Sequence, residues 1–173
     1  MASDRRAHAG APCPIGRAID VLGERWTLLI LRNATLGMTR FEDFRSDLGI
    51  ADNILSLRLT RLVDLGLFTR VPYRDGGRTR NEYRLTAAGA DMLPVLHALA
   101  DWGHEHTRPD EPAERMRIVH RTCEHATTPG GHCDHCGQPV RREEEAWIRP
   151  WRSPEPTPSR PPSSEDPVKR RGR

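Results

Sequence analysis

Residues Thr39–Gly66 read TRFEDFRSDLGIADNILSLRLTRLVDLG, and the organisation of the whole chain turns on this stretch. Phe41, Phe44 and Leu48 recur at the spacing of one helical face, and Gly49 ends the pattern. Thr39 and Glu42 stand at capping-box spacing, so the helix is predicted to be capped by Thr39. A second pattern starts within a few residues. Asp52 falls in a first turn, where its charge suits the helix dipole, and Leu55, Leu59 and Leu62 line one side. Two short helices joined by a tight glycine turn make a helix-turn-helix, with its second helix predicted over Asp52–Asp64.

Working outward, Gly66 stops that helix and Leu67–Tyr73 is a run of strand-favouring residues. The polar turn Arg74-Asp75-Gly76-Gly77-Arg78 follows, and Asn81–Leu85 returns as the partner strand. Asp-Gly-Gly supplies the positive backbone dihedrals of a hairpin loop, so a β-hairpin, the wing, is expected directly after the helix pair. Upstream, Cys13-Pro14 opens an amphipathic helix carrying Ile15, Ala18, Ile19 and Leu22, closed by Gly23; Trp26–Leu31 is apolar nearly all round and reads as a buried helix. Downstream, Thr86 caps a further helix with Met92, Leu96, Leu99 and either Trp102 or Gly103 on one side, which Pro94 either kinks or restarts. The apolar face of this helix exceeds the needs of so small a core, which makes it, with the first helix, a natural dimer element.

Composition sets the outer limits. A chain of 173 residues supports one core of ordinary size, and with 5% aromatic residues that core must come from aliphatic side chains on helices, which excludes an all-β sandwich. The net charge of +3 decides nothing about partners, and Lys169 is the only lysine, so the cations are arginines. The first eleven residues contain no signal-like apolar run, so a cytoplasmic protein with four reduced cysteines is expected. The expected layout is a disordered N-terminus over 1–12, a winged helix-turn-helix domain for DNA binding and dimerisation over 13–107, a C-terminal extension over 108–148, and a disordered Pro/Ser/Arg tail over 149–173. The fold class is therefore mainly α with a small β-hairpin.

Over roughly Cys13 to Trp102 the sequence resembles the HxlR family of bacterial winged-helix regulators. The residues that carry the resemblance are Cys13-Pro14-Ile15, Gly23-Glu24-Arg25-Trp26-Thr27-Leu28, Arg40-Phe41-Glu42-Asp43-Phe44, Leu55-Ser56-Leu57-Arg58-Leu59, Gly66-Leu67, Tyr83-Arg84-Leu85-Thr86 and Leu93-Pro94-Val95-Leu96. The resemblance implies a homodimer joined through its first and last helices, bound to a pseudo-palindromic operator and often acting as a repressor. Ala51 departs from the pattern, since the family often has a serine cap there.

With its leucines inward, the second helix turns Asn53, Ser56, Leu57, Arg58 and Arg61 partly or wholly outward, and these are the candidate groove readers. Asn pairs with adenine, Arg with guanine, and Leu57 suits a thymine methyl. Thr39 and Arg40 at the start of the first helix, and Arg74, Arg78 and Arg80 in the wing, complete the candidate set. The wing arginines are placed for phosphate or minor-groove contact, which positions a protein without specifying sequence. For Arg58 the alternative is an ion pair with Asp52 or a phosphate contact, and for Asn53 a capping role.

Cys13 would sit at a helix N-terminus, where partial positive charge favours a thiolate; it is either a redox candidate or an inert thiol. The other cysteines form a separate group, His120-Arg-Thr-Cys123 and Cys133-Asp-His-Cys136-Gly137, with nine residues between the halves. Two-residue gaps let ligands converge on a tetrahedral ion, so His120, Cys123, Cys133 and Cys136 are the leading structural zinc set, with His125, His132 and His135 as replacements. Four protein ligands leave no place for an activated water, and Cys13 lacks a convincing base, so no enzyme is expected. Candidate partners are double-stranded DNA, a second copy, and a small-molecule or redox effector, with no membrane. The rival reading is a protein-interaction module with a metal-binding extension.

Overall fold

Pro14 has no N–H to lose in a first helical turn, and it opens α1 (Pro14–Leu22), which Gly23 closes. The chain is described here by a computed structural model over residues 12–109 and 114–160. Next comes α2 (Thr27–Thr35), with Thr27, Ile30, Leu31, Asn33, Ala34 and Thr35 buried, as the all-round apolar pattern requires. The helix-turn-helix follows as α3 (Phe41–Leu48) and α4 (Asp52–Asp64). Gly49 sits between them at φ 59°, a left-handed conformation that costs a side chain about 1 kcal/mol or more and that glycine adopts freely.

Phe44, Leu55 and Leu59 are fully buried and Leu62 nearly so, in one cluster with Ile30, Leu31, Ile50 and Phe68. Burying each leucine stabilises the fold by about 2 kcal/mol, so this cluster fixes the orientation of α4 about its own axis. The rings of Phe44 and Phe68 meet edge to face, 6.5 Å between centroids, and lock the wing to α3. The wing is β1 (Phe68–Asp75) paired antiparallel with β2 (Arg78–Leu85). It is tighter than the sequence suggests. The loop is Gly76-Gly77 alone, at φ 54° and 82°, so Arg74 and Arg78 are strand residues paired with Thr79 and Asp75.

Thr86 accepts a hydrogen bond from the Gly89 amide at 3.1 Å and caps α5 (Ala87–Ala90), and the chain restarts at Pro94 in α6 (Leu93–His106), so the proline begins a helix instead of kinking one. Ile15 and Ile19 on α1 and Val95, Leu99 and Trp102 on α6 are exposed, and none of the residues of α1 is buried. No helix among the described residues is long and apolar enough to cross a membrane.

Two expectations are corrected. Thr39 does not cap α3: Arg40 is the N-cap residue and no side chain caps the helix. The wing has claimed this segment, because the Thr39 carbonyl accepts the Tyr83 amide at 2.7 Å and Arg40 bridges to Glu82. The predicted tail from 149 onward also fails over its first residues, where Ser153–Pro158 forms a strand; residues 161–173, like 1–11, lie outside the described residues.

That strand completes a second sheet the sequence did not reveal. The extension contains β3 (Arg117–His120), β4 (His125–Ala126), β5 (Glu145–Arg149) and β6 (Ser153–Pro158), antiparallel in the order β4-β3-β5-β6. Prolines at 154, 156 and 158 read as disorder by composition, yet their alternation leaves the N–H groups of Ser153, Glu155 and Thr157 on one side of an edge strand. The sheet packs on α6 through Ile118 and Trp147 against Leu36, Leu93 and Leu96. Polar ties reinforce it, Arg142 to Asp91 at 3.0 Å and the Arg160 amide to the Thr35 carbonyl at 2.8 Å, and His97 Nε2 approaches Glu145 Oε2 to 3.3 Å without hydrogen-bond geometry.

Candidate functional site

Three sides of α4 meet different surroundings. The Leu55–Leu59–Leu62 side enters the core. A second stripe, with Arg58 and Arg61, faces α1 and the loop after it: Arg58 Nη2 lies 2.8 Å from Glu24 Oε2 with a side chain only 15% exposed, and Arg61 Nη2 donates to the Asp20 carbonyl at 3.0 Å. Arg58 and Arg61 are half-buried, at the partly outward end of the expectation, and their guanidinium groups are already engaged by protein oxygens. The sequence reading allowed for one packed side, whereas the α1–α2 region covers a second. Of the alternatives for Arg58, the pair with Asp52 is not formed: Arg58 meets Glu24, and Asp52 lies 3.5 Å from Arg45 of α3.

The third stripe carries Asn53, Ser56 and Leu57 into solvent, with Leu57 58% exposed. Ala51 precedes it as an N-cap residue without a side-chain bond. Further arginines are exposed on α3 and the wing. Arg74 and Arg78 are exposed and have no side-chain partner among the described residues. Arg80 pairs with Glu42 and lies 3.5 Å from Asp75, tying the wing to α3. Arg40 lies 3.7 Å from Glu82 and stacks over the Tyr73 ring at 4.7 Å, while Thr39 is half-buried. Exposed ion pairs contribute about 0–1 kcal/mol, so Arg45 and Arg80 can exchange their carboxylates for another anion at little cost. Arg45, half-exposed beside the start of α4, is a member of this surface that sequence reading passed over; only the tertiary pairing with Asp52 distinguishes it.

In the extension, the structure brings His120, Cys123, Cys133 and Cys136 together, with their ligand atoms all within 4.8 Å of one another. These four could hold a metal ion. His120 and Cys133 are buried, and Cys123 and Cys136 half-buried. The amides of Cys136 and His135, helped by the Cys123 and His120 side chains, draw the Cys133 thiol down to about 6 against the upward pull of burial. At Cys123 the amide of His125 favours the thiolate, but burial and the thiols of Cys133 and Cys136 outweigh it and push that group up. The three replacement histidines lie outside the cluster. His125 and His135 stack on each other with centroids 3.4 Å apart, and His132 forms a strand bridge with Pro139.

Cys13 is exposed at the N-terminus of α1, while the other three cysteines gather in the extension. Between α2, α6 and the extension runs an open cleft of about 1230 Å³, walled by Leu28, Leu29, Leu96 and Leu99, with Arg25 and Arg32 on its rim.

The chain is similar to known proteins over most of its length. The HTH-type transcriptional regulator MT3179 of Mycobacterium tuberculosis (strain CDC 1551) is 46% identical over 127 residues, spanning 73% of this chain and 78% of that protein. Among solved structures, the candidate transcription factor PA1607 is 38% identical with a TM-score of 0.62, over 79% of this chain and 94% of the other. The redox regulator HypR in its reduced form is 28% identical with a TM-score of 0.50, over 54% of this chain and 92% of the other. The family model for HxlR-like helix-turn-helix proteins matches residues 21–111, which span α2 through α6 and the wing, and the chain belongs to this family of transcriptional regulators.

Proposed function

We propose that the protein binds double-stranded DNA as a homodimer and represses transcription from a pseudo-palindromic operator, with α4 in the major groove and the wing on the backbone or minor groove. The observation that carries this reading is the solvent-facing stripe Asn53, Ser56 and Leu57 on the second helix of the helix-turn-helix, in a chain whose wing also exposes Arg74 and Arg78 without side-chain partners among the described residues. Asn53 and Ser56 offer hydrogen bonds to base edges, Leu57 an apolar contact to a thymine methyl, and the flanking arginines the phosphate contacts. The exposed apolar side chains of α1 and α6 support dimerisation, which sets two recognition helices about one helical turn apart along the duplex. Such a regulator acts in the cytoplasm, and the reading assigns it no catalytic step. Exposed Cys13, together with the likeness to HypR, supports a redox input, and the apolar cleft supports a small-molecule effector. A structural metal on the Cys/His cluster is compatible with this reading and independent of it.

Genomic footprinting followed by binding to the recovered site tests the proposal. Asn53→Ala and Ser56→Ala are each expected to weaken the preferred site by about 1–3 kcal/mol while leaving non-specific affinity unchanged. A second reading, a winged module that docks a protein, is favoured by the engagement of Arg58 with Glu24, which leaves α4 without an outward cation. It requires no affinity for any duplex at low salt, and that result would replace the first reading.

A further inference from the structure

Between β3 and β5 the extension has little apolar material to hold it. Among residues 121–144 only Cys133 and Val140 are buried, and the sole strand is the two-residue β4. Segments this poor in core need a covalent or metal staple. The thiols do not supply one as a disulfide, since Cys123 Sγ and Cys133 Sγ stand 3.6 Å apart against a bond of about 2.05 Å.

The spacings fit a tetrahedral ion instead. With metal–sulfur bonds of about 2.3 Å and a metal–nitrogen bond of about 2.0–2.1 Å, the edges of a tetrahedron are roughly 3.8 Å between sulfurs and 3.6 Å between sulfur and nitrogen. Three of the six edges are 3.6 Å for Cys123 to Cys133, 3.6 Å for His120 Nδ1 to Cys123, and 3.3 Å for His120 Nδ1 to Cys136, and the four ligand atoms all lie within 4.8 Å of one another. Both ligand-bearing turns are built for convergence. After β3, the Glu124 amide bonds the His120 carbonyl at 2.7 Å, and Glu124 is the one non-glycine among the described residues at positive φ, 60°. In the second turn the Gly137 amide bonds the Cys133 carbonyl at 2.9 Å, and the Cys133 amide bonds the Gln138 carbonyl at 2.7 Å.

We propose that Cys123, Cys133 and Cys136, with Nδ1 of His120, form a closed zinc site that staples the turn region of the extension to its sheet. Three soft thiolates and one imidazole select zinc over the hard divalent cations, and four protein ligands leave no position for a reactive water. The site also bears on α6. His120 pairs across the ladder with Glu145, which meets His97 of α6, and the ring of His97 lies 5.4 Å from that of Trp147.

Elemental analysis of the tag-free, full-length chain purified without chelator is expected to give about one zinc per chain. Cys123→Ser and Cys136→Ser are expected to fall below about one tenth of an equivalent, while Cys13→Ser and a triple His125→Ala/His132→Ala/His135→Ala chain keep the full equivalent. Because a ligand variant that unfolds also loses metal, the native chain is reconstituted with cobalt(II). Visible ligand-field and thiolate charge-transfer bands of tetrahedral cobalt support the site. Substoichiometric zinc without those bands, or loss of zinc from the triple-histidine chain, overturns it.

Discussion

Arg78→Ala and Arg58→Ala remove the same side chain from places that differ in one physical respect. Arg78 is exposed at the wing tip without a side-chain partner among the described residues, whereas Arg58 is 15% exposed and held 2.8 Å from Glu24. On a duplex, each phosphate that the protein ceases to neutralise is expected to flatten the slope of log K against log salt by about 0.9, so a dimer without its two Arg78 guanidinium groups flattens by about 1.8. Between about 50 and 200 mM salt, a fourfold change, wild-type affinity is then expected to fall about 12-fold more than that of Arg78→Ala. Arg58→Ala is expected to leave the slope unchanged and to lower thermal stability instead, because it removes the guanidinium from beside a half-buried carboxylate. Fluorescence anisotropy of a labelled duplex across that salt range, beside thermal unfolding of both variants, makes the comparison. A slope flattened as much by Arg58→Ala as by Arg78→Ala would refute the division of α4 into packed and solvent-facing sides.

Other expectations rest on burial and on the exposed helices. Glu145→Ala strands His97, whose side chain is 7% exposed, and is expected to cost about 2–4 kcal/mol, whereas Glu105→Ala, which breaks the shorter 2.7 Å pair with Arg115 at over half exposure, is expected to cost under about 1 kcal/mol. Equal losses in calorimetric unfolding would show that distance outranks burial here. The 3.3 Å approach of His97 to Glu145 does not meet hydrogen-bond geometry, which holds the expected loss toward the lower part of the range for a broken buried pair. Ile19→Arg together with Trp102→Arg is expected to yield a folded monomer by light scattering, since both side chains are more than half exposed and support no internal core. A dimer that survives both charges would move the interface off α1 and α6.

The sequence made α4 legible because Leu55, Leu59 and Leu62 repeat at helical spacing and the burial they predict is the burial found. The wing was legible through its glycines, apart from the length of the loop. Arg58 and Arg61 were not, because a helical period tells which side is apolar and says nothing of a neighbour that covers the adjacent polar side. Thr39 failed as a cap for a related reason: its carbonyl and the Arg40 bridge serve a strand more than forty residues away along the chain. The Cys/His group was visible by spacing, and folding separated the four converging residues from His125, His132 and His135, which spacing alone left interchangeable. The sheet that carries the cluster was hidden, since β3 and β4 are too short to show a period and β6 is half proline.

Those prolines have a further effect. An open sheet border usually presents a row of free amide donors onto which another polypeptide can zip, the first step towards fibrous self-association. Along the outer margin of β6 the outward positions are Pro154, Pro156 and Pro158, which have no such donors. The strand β6 thus terminates its sheet chemically as well as spatially, and the open border of the extension is closed to an accidental meeting with another chain through strands.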